Sequence, residues 1–271
     1  MSRSRVKIGR AHKEITRINA DLRTKCGPSY NLVLSQYKNR VAGSAIYDDK
    51  EYDIILCLFH GHRCVSSITG KYDSTTGAME LLSKTAAEYE GLKFNLYLRA
   101  AFMYLMGFVR PRITTIFSYS LNPISTYAMY KHFHASNVDL NEYVGDHGLT
   151  PETFTLVNAN DFHAYFIEKH KQTPEKAQEE LDEMLEYSSL EELGFETEED
   201  AIEFIMETMN GVAISLELDM ETRGVKEFLL DKLLDTKIKC EGWTTPKGRR
   251  KTQVSNKSQS ASGSSTKKNR K

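Results

Sequence analysis

A change of hydrophobic period between residues 78 and 134 constrains the fold of this chain more than any other feature. Apolar side chains alternate through Ala78 to Ser83 and then recur at helical spacing from Leu96 to Phe108. Arg110-Pro111 ends the helix, and Ile113 to Ser118 has the pattern of a second strand. Because a strand–helix–strand passage places its two strands parallel in one sheet, the sequence predicts an α/β (α+β) fold.

A second helix follows this unit. Asn122 is a favoured N-cap because its side-chain oxygen accepts hydrogen bonds from first-turn amides. Pro123 suits the first helical position, where no N–H donor is needed. We therefore expect a helix that runs from Pro123 to His134.

A short amphipathic helix and several strands precede the unit. Within Gly9 to Cys26, apolar residues recur at spacings of three and four, and Gly27-Pro28 is a stop signal. The next runs are separated by turn residues and predict a mostly antiparallel meander. The predicted strands are Tyr30 to Leu34, Val41 to Tyr47, Tyr52 to Phe59, Cys64 to Thr69 and Ala78 to Ser83.

The pattern weakens after Thr150. Phe154 to Val157 has the pattern of a short strand, and the residues that follow are helical up to Lys169. Pro174 to Lys239 is helix-rich, with one alternating run over Val212 to Leu218. We divide the chain into an N-terminal helix (1–27), a central α/β domain (28–170), an acidic helix-rich appendage (171–243) and a disordered basic tail (244–271).

Charge is strongly segregated, although the net charge is only -1. Residues 175–235 carry 20 Asp and Glu against 4 Lys and Arg, whereas residues 244–271 carry 9 Lys and Arg and no acid. The tail can bind the phosphates of a nucleic acid, or another acidic partner, by electrostatic attraction. A solvated tail without a partner is the other interpretation.

Composition and apolar run length exclude some classes of protein. The chain has 271 residues, 40% hydrophobic and 27% charged, which allows one or two ordinary domains. Ala100 to Val109 is about half of the roughly 20 apolar residues that a bilayer requires, so we expect no membrane span. The first residues are basic and lack a signal peptide's apolar region, which favours a protein of the cytoplasm or nucleus.

Cysteine usage supports the same compartment and raises one alternative. Cys26, Cys57, Cys64 and Cys240 form no C-x-x-C pair, so we expect reduced thiols. Cys57-x-x-His60-x-His62-x-Cys64 has the residue types of a zinc site but not the usual spacing. We favour two buried thiols and a polar turn, and assign no metal.

Four stretches carry a recognisable order of motifs. They are Glu80-Leu-Leu-Ser-Lys-Thr, Tyr89-Glu-Gly-Leu-Lys-Phe-Asn-Leu-Tyr-Leu-Arg, Ile113-Thr-Thr-Ile-Phe-Ser and Asn122-Pro-Ile-Ser-Thr-Tyr-Ala-Met-Tyr-Lys-His-Phe. In this order they resemble the GNAT superfamily of acyl-coenzyme A N-acyltransferases, in particular the divergent members encoded by large DNA viruses. The resemblance implies a GNAT-like mixed central sheet flanked by helices, and a location inside a cell that extends to a virus-infected host cell.

The resemblance also implies acetyl-CoA as co-substrate and an amine as acceptor. By position, Leu82, Ser83 and Lys84 would line the pantetheine arm. The phosphates would lie at the start of the following helix, where backbone N–H groups are unpaired. The residues implied there are Gly91, Leu92, Lys93, Phe94 and Asn95, and Asn122 completes the implied coenzyme site.

Three side chains are candidates for acid–base chemistry. The resemblance suggests Glu80 as the base that deprotonates the amine, and a tyrosine of the second helix as the acid for the leaving thiolate. Tyr130 ranks slightly above Tyr127. The alternative is that both tyrosines are packing residues with a polar tip.

The phosphate-binding turn departs from the family pattern, Gln/Arg-x-x-Gly-x-Gly/Ala. Glu90, Lys93 and Asn95 occupy its three key positions, and only the auxiliary Gly91 remains. This departure supports a second hypothesis, a non-catalytic interaction protein that binds protein or nucleic acid through its acidic segment and basic tail. An open cleft between the two parallel strands favours the enzyme, and a cleft filled by Lys93 or Phe94 favours the binder.

Overall fold

One mixed β-sheet organises the part of the chain that the computed structural model describes, residues 6–36, 52–120, 122–171, 173–209 and 214–240. Its six described strands lie in chain order across the sheet. They are β1 (Tyr30–Gln36), β2 (Ile54–His60), β3 (Arg63–Tyr72), β4 (Ala78–Thr85), β5 (Thr115–Ser120) and β6 (Ile214–Asp219). The predicted α/β (α+β) class is confirmed.

Nine helices lie within the same described ranges. They are α1 (Ala11–Cys26), α2 (Phe94–Met106), α3 (Pro123–Phe133), α4 (Val138–Asp146), α5 (Leu156–Lys169), α6 (Pro174–Leu185), α7 (Leu190–Leu193), α8 (Glu198–Met209) and α9 (Val225–Asp235). Among them, none combines the length and the apolar character that a bilayer crossing requires.

The helix α2 is the centre of the core. Eleven of its thirteen residues are buried, because it packs on β2, β3 and β4 and is covered by α1 and α9. Two of its tyrosines attach α1 by hydrogen bonds: Tyr97 Oη donates to Asp21 at 3.3 Å, and Tyr104 Oη donates to Glu14 at 2.8 Å. The core therefore forms on the face of the sheet that α2 covers.

The strands β4 and β5 are parallel but are paired over only part of their length. The paired positions run from Ala78 with Thr115 to Leu81 with Ser118. Both strands continue beyond the last pair, to Thr85 and Ser120. Among the described residues, Leu82 and the residues after it have no partner in β5. We call the space between Leu82–Thr85 and Tyr119–Ser120 the β4–β5 gap.

The sheet contains strands from both the predicted central domain, which ends at residue 170, and the predicted acidic appendage that follows it. The strand predicted from the alternating run over Val212 to Leu218 is confirmed from Ile214 onward as β6, which pairs antiparallel with β5 from Thr115–Asp219 to Ser120–Ile214. The helix α9 packs against α2, and residues 1–241 form one compact unit. The acidic helices α6 and α8 share a small apolar cluster of their own, built from Ala177, Leu181, Ala201 and Ile205.

Most predicted elements are confirmed, and one is wrong. The N-terminal helix, the parallel unit and the helix that Asn122 caps are all present. Phe154 to Val157 is not a strand, because Thr155 and Asn158 form a reciprocal capping box that begins α5 at Leu156. The strand predicted over Val41 to Tyr47 and the basic tail lie outside the described residues.

The prediction of four reduced cysteines is wrong for two of them. Cys26, at the end of α1, and Cys240 form a disulfide with their Cα atoms 5.0 Å apart. Lys239 lies beside Cys240, and its backbone N–H donates to the carbonyl of Leu92 at 3.1 Å. The segment after α9 therefore lies against the turn that precedes α2.

Candidate functional site

The buried guanidinium of Arg99 lies beside Ser83, in the stretch of β4 beyond its last pair with β5. Its Nη2 donates to Ser83 Oγ on β4 at 2.9 Å and to Ser125 Oγ in the first turn of α3 at 3.2 Å. Ser83 belongs to the part of β4 that has no described partner in β5. The side chain thus links three elements, α2, β4 and α3, where the parallel strands separate.

The charge of Arg99 is not balanced by a protein carboxylate in the described part of the chain. The residue is 8% exposed, and its Nη1 has no hydrogen-bond partner. Burial lowers the pKa of Arg99 to about 10, which still leaves the guanidinium charged at neutral pH. A buried cation without a counter-ion is costly, so this position is a candidate for an anionic ligand.

The turn before α2 leaves the helix N-terminus without a side-chain cap. Gly91 has a φ of 75° and Lys93 a φ of 65°, and Lys93 occupies the N-cap position without accepting a first-turn hydrogen bond. A lysine cannot accept such a bond, since its ammonium only donates. The first amides of α2 therefore remain available to an anion.

The side chains of Lys93 and Phe94 do not fill the β4–β5 gap. The ring of Phe94 packs against Tyr30 of β1 at 5.6 Å and against Tyr89 at 5.9 Å, between ring centroids. The side chain of Lys93 is exposed. The side chain of Asn95 instead points back to β4, where its Nδ2 donates to Thr85 Oγ1 at 3.4 Å.

Several cations lie close to this turn. His132 of α3 is half-buried, and its pKa is lowered by burial and then by the charges of Lys232, Lys131 and Lys93. Lys93 belongs to the turn, Lys131 to the last turn of α3 and Lys232 to α9. The chain thus brings basic residues from three elements around His132.

The predicted catalytic residues occupy different environments. Glu80 is half-buried in β4, between Lys71 of β3 and Phe117 of β5. Along a strand, side chains alternate between faces, so Glu80 faces away from α2, whereas Ser83 faces it. Among the described contacts, none joins Glu80 to either tyrosine of α3.

The two tyrosines are three residues apart on α3 but differ in burial and in their contacts. Tyr130 is buried, and its ring packs edge-on against Phe154 with centroids 4.8 Å apart. Burial, followed by the charge of Glu152, raises the pKa of Tyr130. Tyr127 is half-buried, and Lys131 Nζ lies 5.5 Å from its ring centroid.

The remaining predicted coenzyme residues border the gap and the turn. Asn122 caps α3, since its Oδ1 accepts from the Ser125 N–H at 2.9 Å. Leu82 is half-buried and Lys84 exposed, and both share the sheet face of Glu80. The carbonyl of Leu92 accepts the hydrogen bond from Lys239.

The cysteine and histidine cluster does not assemble as a set of ligands. Cys57 and Cys64 are buried close together, and the hydrogen bond between them and burial raise the pKa of Cys64. The Nδ1 of His60 lies 3.2 Å from the Tyr89 hydroxyl, and its ring stacks on Tyr30. Within the described ranges, no group of three or more metal-ligating side chains is present.

Arg99 is the functional residue that the motif pattern does not reveal, although the sequence carries a signal for it. Between Lys93 and Arg110 it is the only charged residue, and from Leu96 onward its neighbours are apolar or aromatic. A charge in the middle of a fully buried helix requires a partner, which marks such a position for attention.

No protein-family model and no curated protein matches this sequence.

Proposed function

We propose that this chain is an N-acyltransferase that transfers an acetyl group from acetyl-CoA to an amine. The observation that carries the proposal is the parallel pair β4–β5, whose pairing stops at Leu81 and Ser118 while both strands continue. The unpaired backbone of β4 can bind the amide groups of a pantetheine arm. This arrangement is the one expected from the resemblance to GNAT acyltransferases.

The charges around the start of α2 suit the diphosphate of the coenzyme. The uncapped N-terminus offers backbone N–H donors and the positive end of the helix dipole. Lys93 and Lys232, whose charges both act on His132, add positive charge beside it. A ligand that spans from this turn to the β4–β5 gap would carry its phosphates at one end and its thioester at the other.

The proposed reaction is a direct attack in a ternary complex. The acceptor ammonium gives one proton to Glu80, and the lone pair thus freed forms a C–N bond to the thioester carbonyl carbon. The C–S bond then breaks, the thiolate takes a proton from a tyrosine, and the second proton that the nitrogen gives up restores the phenol. The products are an amide and free coenzyme A. Tyr130 is the first candidate for this acid and Tyr127 the second, as the resemblance suggests.

A non-catalytic interaction protein is the second candidate function. Glu90 is exposed in the turn that would face the diphosphate, and its charge would repel one. The same fold would then serve as a scaffold for its acidic helices. Coenzyme binding separates the two candidates, because only the enzyme requires it.

Thermal unfolding in the presence of acetyl-CoA tests the proposal. At 100 times its dissociation constant, a ligand of the native state adds about 2.7 kcal/mol to the free energy of unfolding. We expect Lys93→Glu to weaken this stabilisation and the exposed α1 variant Lys13→Glu to leave it unchanged. No stabilisation of the wild type at millimolar acetyl-CoA would overturn the proposal.

Thiol release in the presence of acetyl-CoA and a panel of amines then tests the chemistry. If Glu80 is the base, Glu80→Gln lowers kcat without abolishing coenzyme binding. Tyr130→Phe and Tyr127→Phe identify the acid, since only the loss of the acid reduces kcat by roughly 10²-fold or more. Equal kcat values for all three variants and the wild type would rule out these roles.

A further inference from the structure

Arg99 is held in place by groups that do not neutralise it. The two serines that accept from its Nη2 are uncharged, and Nη1 has no partner among the described residues. Arg99 takes part in none of the ion pairs found there. Side-chain packing alone does not account for such a residue, because a leucine or methionine would fill the same volume without burying a charge.

The groups around Arg99 retain several hydrogen-bond donors. Ser83 Oγ and Ser125 Oγ both accept from the same Nη2, so each hydroxyl still has its own hydrogen to donate. Nη1, the other terminal nitrogen of the guanidinium, adds two further N–H donors. Ser125 also lies in the first turn of α3, where the helix dipole is positive.

This set of donors fits a carboxylate. Both hydrogens of Nη2 are used by the serines, so Nη1 would donate to a carboxylate oxygen and the two hydroxyls to the remaining lone pairs. A phosphate group carries more charge and more acceptor oxygens than one guanidinium nitrogen and two hydroxyls can satisfy. The site is also separate from the cations around His132, which lie beside the turn that precedes α2.

We propose that Arg99, Ser83 and Ser125 bind a carboxylate that one of the two substrates carries into the β4–β5 gap. The assignment to a substrate rests on the proposed function. The carboxylate belongs either to the acyl group, as in the coenzyme A thioester of a dicarboxylic acid, or to the acceptor, as in an amino acid. In both cases Arg99 is a binding residue that selects the charged substrate over its neutral analogue.

Free carboxylates test the site without any coenzyme. Thermal unfolding is measured in malonate, succinate and acetate, with chloride at equal ionic strength as reference. We expect stabilisation of the wild type by carboxylates, and its loss in Arg99→Met. Tyr104→Phe is the control, since it removes a buried hydrogen bond of the same helix on the side of α1. Equal carboxylate stabilisation of wild type and Arg99→Met would overturn the proposal.

A measurement on the wild type covers the case in which Arg99→Met does not fold. The guanidinium resonances of Arg99 are followed by NMR during titration with malonate. A saturable shift of these resonances supports the site, and resonances that stay unchanged up to 100 mM malonate, roughly the limit of weak binding, contradict it.

Paired substrates then identify the source of the carboxylate. Succinyl-CoA is compared with acetyl-CoA, and glutamate and glycine are compared with their amides, by binding affinity. A preference of roughly tenfold or more for the charged member, lost in Arg99→Met, identifies the substrate that Arg99 contacts. Equal affinities in both comparisons would overturn the inference even if acetyl-CoA binds, whereas carboxylate binding without any coenzyme binding would overturn the proposed function and leave the carboxylate site.

Discussion

Gly70 sets how closely α2 approaches the sheet. A Cβ at this position of β3 would lie 2.7 Å from Met79 Sδ, 2.8 Å from Phe102 Cζ and 3.0 Å from Ile54 Cγ2. Met79 belongs to β4 and Phe102 to α2, so the missing side chain brings both elements together. The same helix carries Arg99, and the position of its guanidinium depends on this close approach.

We expect Gly70→Ala to destabilise the protein by about 1–3 kcal/mol, because the added methyl overpacks the core. Chemical denaturation measures the change. Gly145→Ala is the matched control: it lies in α4, where an added Cβ meets no atom within 4 Å. The control should stabilise the helix by about 0.5–1 kcal/mol, because alanine is the better helix former. A larger loss in Gly145→Ala than in Gly70→Ala would contradict this packing.

His132 makes the expected coenzyme affinity depend on pH. Its pKa is lowered in the folded protein, so protonation of His132 opposes folding as the pH falls below the unfolded value. A bound diphosphate reverses the local charge and raises this pKa, so binding takes up a proton. We therefore expect coenzyme affinity, measured by calorimetry, to rise as the pH is lowered through the titration of His132.

His132→Gln should flatten this pH dependence, and the exposed α1 variant His12→Gln should preserve it. Neither variant alters Lys93, Lys131 or Lys232, the lysines whose charges act on His132, so the comparison isolates the imidazole. An identical pH profile in wild type and His132→Gln would show that the phosphates bind elsewhere.

The disulfide Cys26–Cys240 joins the end of α1 to the segment after α9. The carbonyls of Leu233 and Leu234, at the end of α9, also accept from Lys25 Nζ, at 3.3 and 2.7 Å. The N–H of Lys239 contacts the Leu92 carbonyl. The last described segment is thus attached to both α1 and the turn before α2.

Reduction of this disulfide should lower the free energy of unfolding by about 2–4 kcal/mol, because a cross-link over a long loop restricts the unfolded chain. Unfolding midpoints with and without reductant measure the effect. In Cys240→Ser the reductant should have no further effect, since Cys57 and Cys64 are not joined in a disulfide. Equal midpoints for the wild type in both conditions would contradict the expected stabilisation.

Local sequence signals predict single helices and strands better than they predict which elements pair with one another. The Asn122-Pro123 start of α3 was correct because cap and first-turn chemistry are encoded within four residues. The capping box Thr155-x-x-Asn158 is equally local, but the apolar residues beside it have the pattern of a strand. The pairing of β6 with β5 and of Cys26 with Cys240 depends on contacts between distant parts of the chain, and no local pattern specifies them.

The candidate site also has one part that the sequence predicts and one part that depends on tertiary packing. The parallel strands, the turn at Gly91 and the uncapped helix start follow from sequence order. The meeting of Ser83, Arg99 and Ser125 does not, because it requires the register of α2 over β4 and the position of α3. The whole molecule therefore assembles the site from three elements around an interrupted parallel pair.

A crystal structure of the protein with coenzyme A tests this central claim most directly. We expect the pantetheine arm to lie between Leu82–Lys84 and Tyr119–Ser120, and the diphosphate to lie at the first amides of α2. Coenzyme A bound at another surface, or an unliganded β4–β5 gap at saturating coenzyme, would contradict it.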